Sequence, residues 1–387
     1  MMDIPALKRH FHEYFPDTPG DPQIFFAPGR TNLIGEHIDY NGGNVLPCTI
    51  SRGIYACVLF KDEGMINIRS LDQDHSAHIP LDRKITYDQA LGWANYPMGV
   101  IDRLIRDNNT LKGFDALVMS DLPAGSGLSS SAALEVLCAY CAMYPKISSD
   151  KDRLYMAQAC QQAENTFVHV NCGIMDQACI ALGKKDHALS LDTHTLEYSY
   201  IPVSLGQTHL VIMNSMHARE LSGSAYNTRR MECDEALNHI KTHRDIKTLC
   251  EAKYDDLEYI PDETLKKRAR HAITEQQRVC SSIEMLKKND LPGFGRLLNA
   301  SHLSLKEDFE VTGEYLDALV DEATRLDGCL GARMTGAGFG GCAIALVQKE
   351  AIENFKTEVT KGYREKTRKT PEFYVCTIPD GVCRLEI

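Results

Sequence analysis

Residues 27–43, APGRTNLIGEHIDYNGG, hold an Arg, a Glu, a His and an Asp among turn-forming Gly, Asn and Pro. Such a mixture is poor core material, because a buried charge is costly unless it is paired. The segment reads as a polar constellation on a tight loop. Glu36, His37 and Asp39 can exchange hydrogen bonds with a polyhydroxylated ligand, and Arg30 can hold an anion or a carboxylate. A charged surface turn is the plain alternative for this segment taken alone.

A second segment, PAGSGLSSSA at 123–132, falls between a predicted strand and a predicted helix. Gly125 and Gly127 permit backbone conformations that other residues resist, and they let a phosphate approach the main chain. The helix start behind them offers unpaired N–H groups and a positive dipole end. Ser129, Ser130 and Ser131 add hydroxyl donors, or a ligand for a hard cation such as Mg²⁺. This is an anion cradle without the Gly-Lys-Ser/Thr ending of a Walker A loop. A flexible turn with a serine cap is the alternative.

The third segment is ENTFVHVNCGIMDQ at 164–177. Glu164 falls near the end of one predicted helix and Asp176 near the start of the next. Two such carboxylates can divide labour, one on a metal and one on a substrate proton. An exposed Glu and an Asp at a helix start would look the same.

Three look-alikes are set aside. Gly336, Gly338 and Gly341 satisfy GxGxxG, but they precede the strand-like CAIALV, whereas the dinucleotide fingerprint follows a strand and opens a helix. His243-Arg244-Asp245 imitates a protein-kinase catalytic loop, yet Cys250 stands where its Asn belongs and no Asp-Phe-Gly follows. Cys138 and Cys141 form a CxxC inside an apolar helix pattern, which reads as core rather than as a metal site.

The elements that position these segments are mixed. Short strands are predicted at 24–26, 54–60 and 114–120. After the strand at 114–120 comes a loop and then a helix that Pro145 ends; further helices are predicted at roughly 150–168 and about 224–245, and on to about 325. Strand-like stretches fall near 187–203 and 208–214, at CAIALV, and near 372–376 and 382–386, with a helix near 349–365. Without steady βαβ alternation the fold class is α+β. A length of 387 residues suggests two domains, divided near the polar turn at Gly183–Asp186 into 1–183 and 184–387.

Net charge is −11, from 42 basic and 53 acidic residues, which argues against nucleic acid or an anionic membrane as a partner. The 14 cysteines show no disulfide framework, and no apolar run suits a signal peptide or a membrane span. A reduced, cytoplasmic protein is expected. Oligomeric state is not encoded legibly, and a monomer is the default.

Taken together, the three segments resemble the galactokinase family of the GHMP small-molecule kinase superfamily. GRTNLIGEHIDYNGG at 29–43 is similar to its sugar signature, PAGSGLSSSA to its phosphate loop and TGAGFGG at 335–341 to its third motif. WANYPMG at 93–99, CGIMDQ at 172–177 and SAYNTRR at 224–230 match as well. The resemblance implies a two-domain GHMP fold. Its N-terminal domain would be like ribosomal protein S5 domain 2, its C-terminal domain ferredoxin-like, and its active site would lie in the cleft between them. It implies ATP-dependent phosphorylation of galactose at C1, the opening step of the Leloir pathway. Asp176 would be the base, and Arg30 would pair with it and steady the phosphoryl group. Glu36, His37, Asp39, Gly173 and Tyr226 would hold sugar hydroxyls. Pro123, Gly125, Gly127, Leu128, Ser129, Ser130, Ser131 and Ala132 would cradle the nucleotide, with Trp93 near the adenine. Ser131 and Glu164 would hold Mg²⁺. The departures are Thr31 where Val is usual, Ile38 where Thr is frequent and His169 where Gly is common. Ile38 keeps one alternative open, another sugar such as N-acetylgalactosamine or arabinose; the alternative of a different class is a non-catalytic galactose and ATP sensor on the same fold.

Overall fold

The computed structural model describes residues 3–123, 127–217 and 222–386, with only the backbone at 222–224. Helix α1 (Ile4–Tyr14) starts on Asp3, whose carboxylate accepts the Ala6 N–H, with a proline in its first turn. Strands β1 (Gln23–Asn32), β2 (Asn44–Val45), β3 (Pro47–Lys61), β4 (Met65–Ser70) and β5 (Ser76–Pro80) follow. After α2 (Asn95–Arg106), β6 (Gly113–Ser120) runs towards α3 (Ser130–Met143), α4 (Asp150–Ala163) and α5 (Met175–Leu182). Next come β7 (His187–Asp192), β8 (Tyr198–Pro202) and β9 (Thr208–Asn214). A helical stretch holds α6 (Ser222–Lys241), α7 (Glu263–Lys287), α8 (Leu291–Glu307) and α9 (Gly313–Thr324). The last elements are β10 (Cys329–Thr335), β11 (Cys342–Gln348), α10 (Ile352–Thr367), β12 (Glu372–Cys376) and β13 (Cys383–Arg384).

The architecture is α+β. Among the described residues one sheet has the order β13-β1-β3-β6-β4-β5, a second β10-β11-β9-β12 and a third β2-β7-β8. Alternation with period two decides which face each strand residue covers. Ile24, Cys57 and Leu117 pack under α1 with Leu7, Phe11 and Phe15. Their neighbours Phe25, Ala56, Val58, Ala116 and Val118 join the main core on the other face, with α3. That helix is apolar all round, so it is buried, Cys138 and Cys141 included. Burial raises both thiol pKa values, which fits core packing. Ser149 caps α4 in a capping box with Asp152.

Two expectations change. The tight loop expected at 27–43 begins only after Asn32, because β1 pairs with the long β3 as far as Asn32↔Pro47. The register slips once, between Pro28 and Gly29, where a bulge accommodates the residue that has no N–H to give. Arg30 therefore stands on a strand, not on a loop. The stretch at 187–203 is a hairpin of β7 and β8. Chain from beyond residue 183 returns to N-terminal strands, β7 onto β2 and β13 onto β1. The two-part division is thus a proposal about packing units, and these strands cross it.

Candidate active site

β1 and α5 bring the chemistry together. Arg30, on β1, donates from Nε to Asp176 Oδ1 and from Nη2 to Asp176 Oδ2, both at 2.7 Å. This is the bidentate fork that guanidinium and carboxylate geometries favour. Burial works against the Arg30 charge, but Asp176 together with Glu36 more than offsets it, and the guanidinium pKa is raised. The Ser129 hydroxyl also donates to Asp176 Oδ2. Asp176 sits in the first turn of α5, with its side chain 30% exposed. Arg30 reaches further: Nη1 donates to the Gly127 carbonyl at 2.9 Å, and its backbone N–H to Leu128 O at 3.3 Å. One side chain therefore fixes both the carboxylate and the predicted phosphate loop.

Asp176 and Arg30 line a cavity of about 510 Å³ together with Glu36, His37, Asp39, Gly173 and Tyr226. All the predicted sugar-site residues converge there, from β1, the loop after it, the approach to α5 and the first turns of α6. Gly336 and Ala337 of the third motif close the far wall. A Cβ at Gly173 would stand 2.5 Å from Asp39 Oδ2, so a larger residue there would displace that carboxylate. Burial raises the Asp39 pKa to about 6.

The loop after β1 is clamped from the C-terminal side. Glu36 is buried and accepts from Asn32 Nδ2 at 2.7 Å, Thr335 Oγ1 at 3.1 Å and the Gly336 N–H at 2.5 Å. Arg333, fully buried, donates to the carbonyls of Asn32 and Leu33. On α7, Glu275 accepts the Gly35 N–H and His271 Nε2 donates to the Glu36 carbonyl. His37 is likewise committed. Ala337 O can only accept, so His37 Nε2 carries the proton there, and Nδ1 accepts from the Tyr40 hydroxyl. Burial, reinforced by His271, lowers the His37 pKa to about 3, so the ring is neutral. With both nitrogens engaged, His37 shapes the cavity wall through its ring, packed on Tyr226 and Phe309.

On the nucleotide side, Pro123, Gly127, Leu128 and Ser129 are described, and Gly125 lies outside the described residues. Ser129 adopts the left-handed conformation before α3 and turns its hydroxyl to Asp176, not onto the helix start. Ser130, Ser131 and Ala132 form the first turn of α3. Glu164 begins a π-turn after α4, buried, and Glu135 lies one helical turn beyond Ser131. Burial raises the pKa of both carboxyls, and the Glu164 charge raises that of Glu135 further. Among the described residues no group of three or more Asp, Glu, His or Cys could hold a metal alone. A cation here would need phosphate oxygens to complete its shell. The buried Glu135–Glu164 pair beside the Ser131 turn suits a hard cation, and Glu135 Oε1 has no hydrogen-bond partner among the described residues. Trp93 is not part of the cavity wall. It stands on a 3₁₀ turn and donates its indole N–H to Asp74 O at 2.6 Å.

The three departures have definite places. Thr31 is buried and its hydroxyl donates to Thr335, tying β1 to β10. Ile38 is fully buried in the core and does not line the cavity. His169 takes the left-handed conformation, lines the rim of the same cavity and sets its ring edge-on to Tyr87.

Sequence reading missed Glu135, Gln177, His271, Glu275 and Arg333. A lone acidic residue inside an apolar helix was the available signal for Glu135. The partners on α7 lie more than 230 residues from the loop they hold (|i−j| of 240 for Gly35–Glu275), and no local pattern links them.

Comparison with known proteins places this geometry. The family models "GHMP kinases N terminal domain" and "GHMP kinases C terminal" match residues 95–184 and 282–365. A mevalonate kinase of Methanococcus jannaschii shares the fold, with a TM-score of 0.68 at 19% identity over 93% of this chain and 99% of its own. Fold and site thus define a GHMP-class small-molecule kinase. The "Galactokinase galactose-binding signature" matches residues 9–59. A galactokinase of Clostridium tetani is 45% identical over 98% of this chain and 97% of its own length, and one of Levilactobacillus brevis 44% over 99% and 100%. The crystal structure of Lactococcus lactis galactokinase complexed with galactose superposes with a TM-score of 0.93 at 40% identity, covering 99% of this chain and 100% of that one. The chain belongs to the galactokinase family and is an ATP-dependent sugar kinase. No helix among the described residues is long and apolar enough to cross a membrane.

Proposed function

We propose that the cavity holds α-D-galactose with its anomeric hydroxyl against Asp176, and that the γ-phosphoryl group of ATP is transferred to that oxygen. The products are galactose 1-phosphate and ADP. The carrying observation is the Arg30–Asp176 fork, placed where the polar cavity meets the predicted phosphate loop. The C1 oxygen forms the new bond to phosphorus as the bond to the ADP oxygen breaks. The hydroxyl proton passes to Asp176. Phosphoryl transfer asks chiefly for positioning and charge stabilisation. Arg30 supplies both, holding Asp176 in a fixed plane and leaving a cationic edge near the phosphate loop.

Asp39 and Tyr226, and Glu36 where its carboxylate is still open to the cavity, would take sugar hydroxyls. The start of α3 would receive the phosphates, with Trp93 near the adenine. Ser131 and Glu164 would hold Mg²⁺, which would supply neutralisation of the phosphate charge. The charged groups that line the cavity, Arg30, Glu36, Asp39 and Asp176, suit a polyol. A cytoplasmic monomer is part of the proposal, and the free cysteines suit a reducing compartment.

The comparisons favour neither alternative, a different sugar or a sensor without catalysis. Ile38 also gives no ground for another sugar, since it is packed away from the cavity. ADP release should therefore be fastest with galactose in a panel that includes N-acetylgalactosamine and arabinose. Ile38→Thr should keep that ranking and lose about 1–3 kcal/mol of stability, the cost of an unpartnered buried hydroxyl. A larger kcat/KM for another sugar would overturn the substrate, and a changed ranking in Ile38→Thr would overturn the reading of residue 38.

A further inference from the structure

The first turn of α5 carries two adjacent polar residues, Asp176 and Gln177. They point about 100° apart around the helix. Asp176 meets Arg30 at the cavity, whereas Gln177 is 1% exposed and faces the opposite carboxylates. Its amide nitrogen lies 2.7 Å from Glu164 Oε2 and 3.1 Å from Glu135 Oε2. A side-chain amide has two hydrogens, so each carboxyl group receives one. Gln177 Oε1 and Glu135 Oε1 are buried without a hydrogen-bond partner among the described residues. That costs stability, and a packed apolar side chain at 177 would avoid part of it. The residue is therefore better explained by what its two donors hold. Glu135 comes from α3 and Glu164 from the turn after α4, and two acidic groups this close in a low-dielectric interior repel when ionised.

We infer that Gln177 is a positioning residue: its amide fixes the Glu164 carboxylate, with Glu135 as second anchor, for the cation that accompanies the nucleotide. The inference rests on the reading of Ser131 and Glu164 as the cation side of the site. Because Gln177 and Asp176 share one helical turn, α5 also sets the register between the nucleotide side and the sugar side.

Gln177→Met keeps the length of the side chain and removes both donors. Binding of Mn²⁺ with ADP can be followed from the paramagnetic resonance signal of free Mn²⁺, and galactose binding by calorimetry. Loss of an outer-shell partner typically weakens metal affinity about 10–100-fold. A loss in that range is expected for Mn²⁺·ADP, with a matching rise in KM for Mg·ATP and a galactose Kd within about twofold of the parent. Should Gln177→Met fail to fold, Gln177→Asn keeps an amide but withdraws it from both carboxylates, and the same split is expected. Unchanged Mn²⁺·ADP binding in a folded variant overturns the inference, as does equal loss of both ligands. Glu164→Gln separates the two layers. If it weakens Mn²⁺·ADP binding while Gln177→Met does not, only the inference fails; if neither does, the cation reading fails with it.

Discussion

Asp176→Asn is expected to lower kcat by about 10²–10⁴-fold, the usual contribution of a positioned acid–base group. Galactose should still bind within a few-fold of the parent. The substitution is isosteric, and the Asn carbonyl can keep one of the two Arg30 bonds. In either orientation its amide nitrogen faces the other Arg30 donor, but the Ser129 hydroxyl can donate to the carbonyl or accept from the amide, and at a side chain 30% exposed water can separate the two donors. The fold should therefore survive while the proton acceptor is lost. Steady-state kinetics with calorimetry of galactose binding checks both halves. A kcat above one-tenth of the parent value would remove Asp176 from the chemistry.

Arg30→Met is expected to do more. It removes two bonds to Asp176 and the bond to Gly127 O. Losing one donor to developing transition-state charge costs about 10²–10³ in kcat, and Asp176 also loses its fixed plane. A raised KM for Mg·ATP should accompany the fall, because the loop at 127–128 loses its brace. Breaking a buried pair by deleting one partner costs about 3–5 kcal/mol. The loss here should be smaller, since the Asp176 side chain is 30% exposed and water can replace the guanidinium. Arg30→Lys should restore little activity, because an ammonium cannot make the fork. Near-parental kcat in folded Arg30→Met would contradict the role given to the fork.

Much of this site was legible in the chain. Charged and turn-forming residues crowded into 27–43 pointed to a polar ligand, and the Gly/Ser stretch before an apolar helix pointed to an anion. Both rest on local chemistry, and local chemistry is what sequence displays. The α+β class followed from the irregular order of elements in the same way. The strand identity of Arg30 was hidden, because Pro28 and Gly29 read as turn residues until β3 is seen to pair across the bulge. The commitments of Glu36 and His37 were hidden too, since their partners Thr335, Gly336 and Ala337 lie about 300 residues away. Ile38 misled for a related reason. Its place inside the motif suggested contact with a ligand, while its apolar side chain, fully buried, serves the core that holds the motif. Gln177 was overlooked beside Asp176, because nothing in its spacing announces two carboxylates arriving from α3 and from the turn after α4.

The central claim is that the Asp176–Arg30 fork addresses the anomeric oxygen. Carbon NMR of [1-¹³C]galactose incubated with the enzyme and Mg·ATP tests it most directly. The account predicts one product in the α configuration, with phosphorus coupling at C1 and ADP formed in equal amount. Phosphorus coupling at another carbon, or ADP release with no phosphorylated sugar, would contradict it.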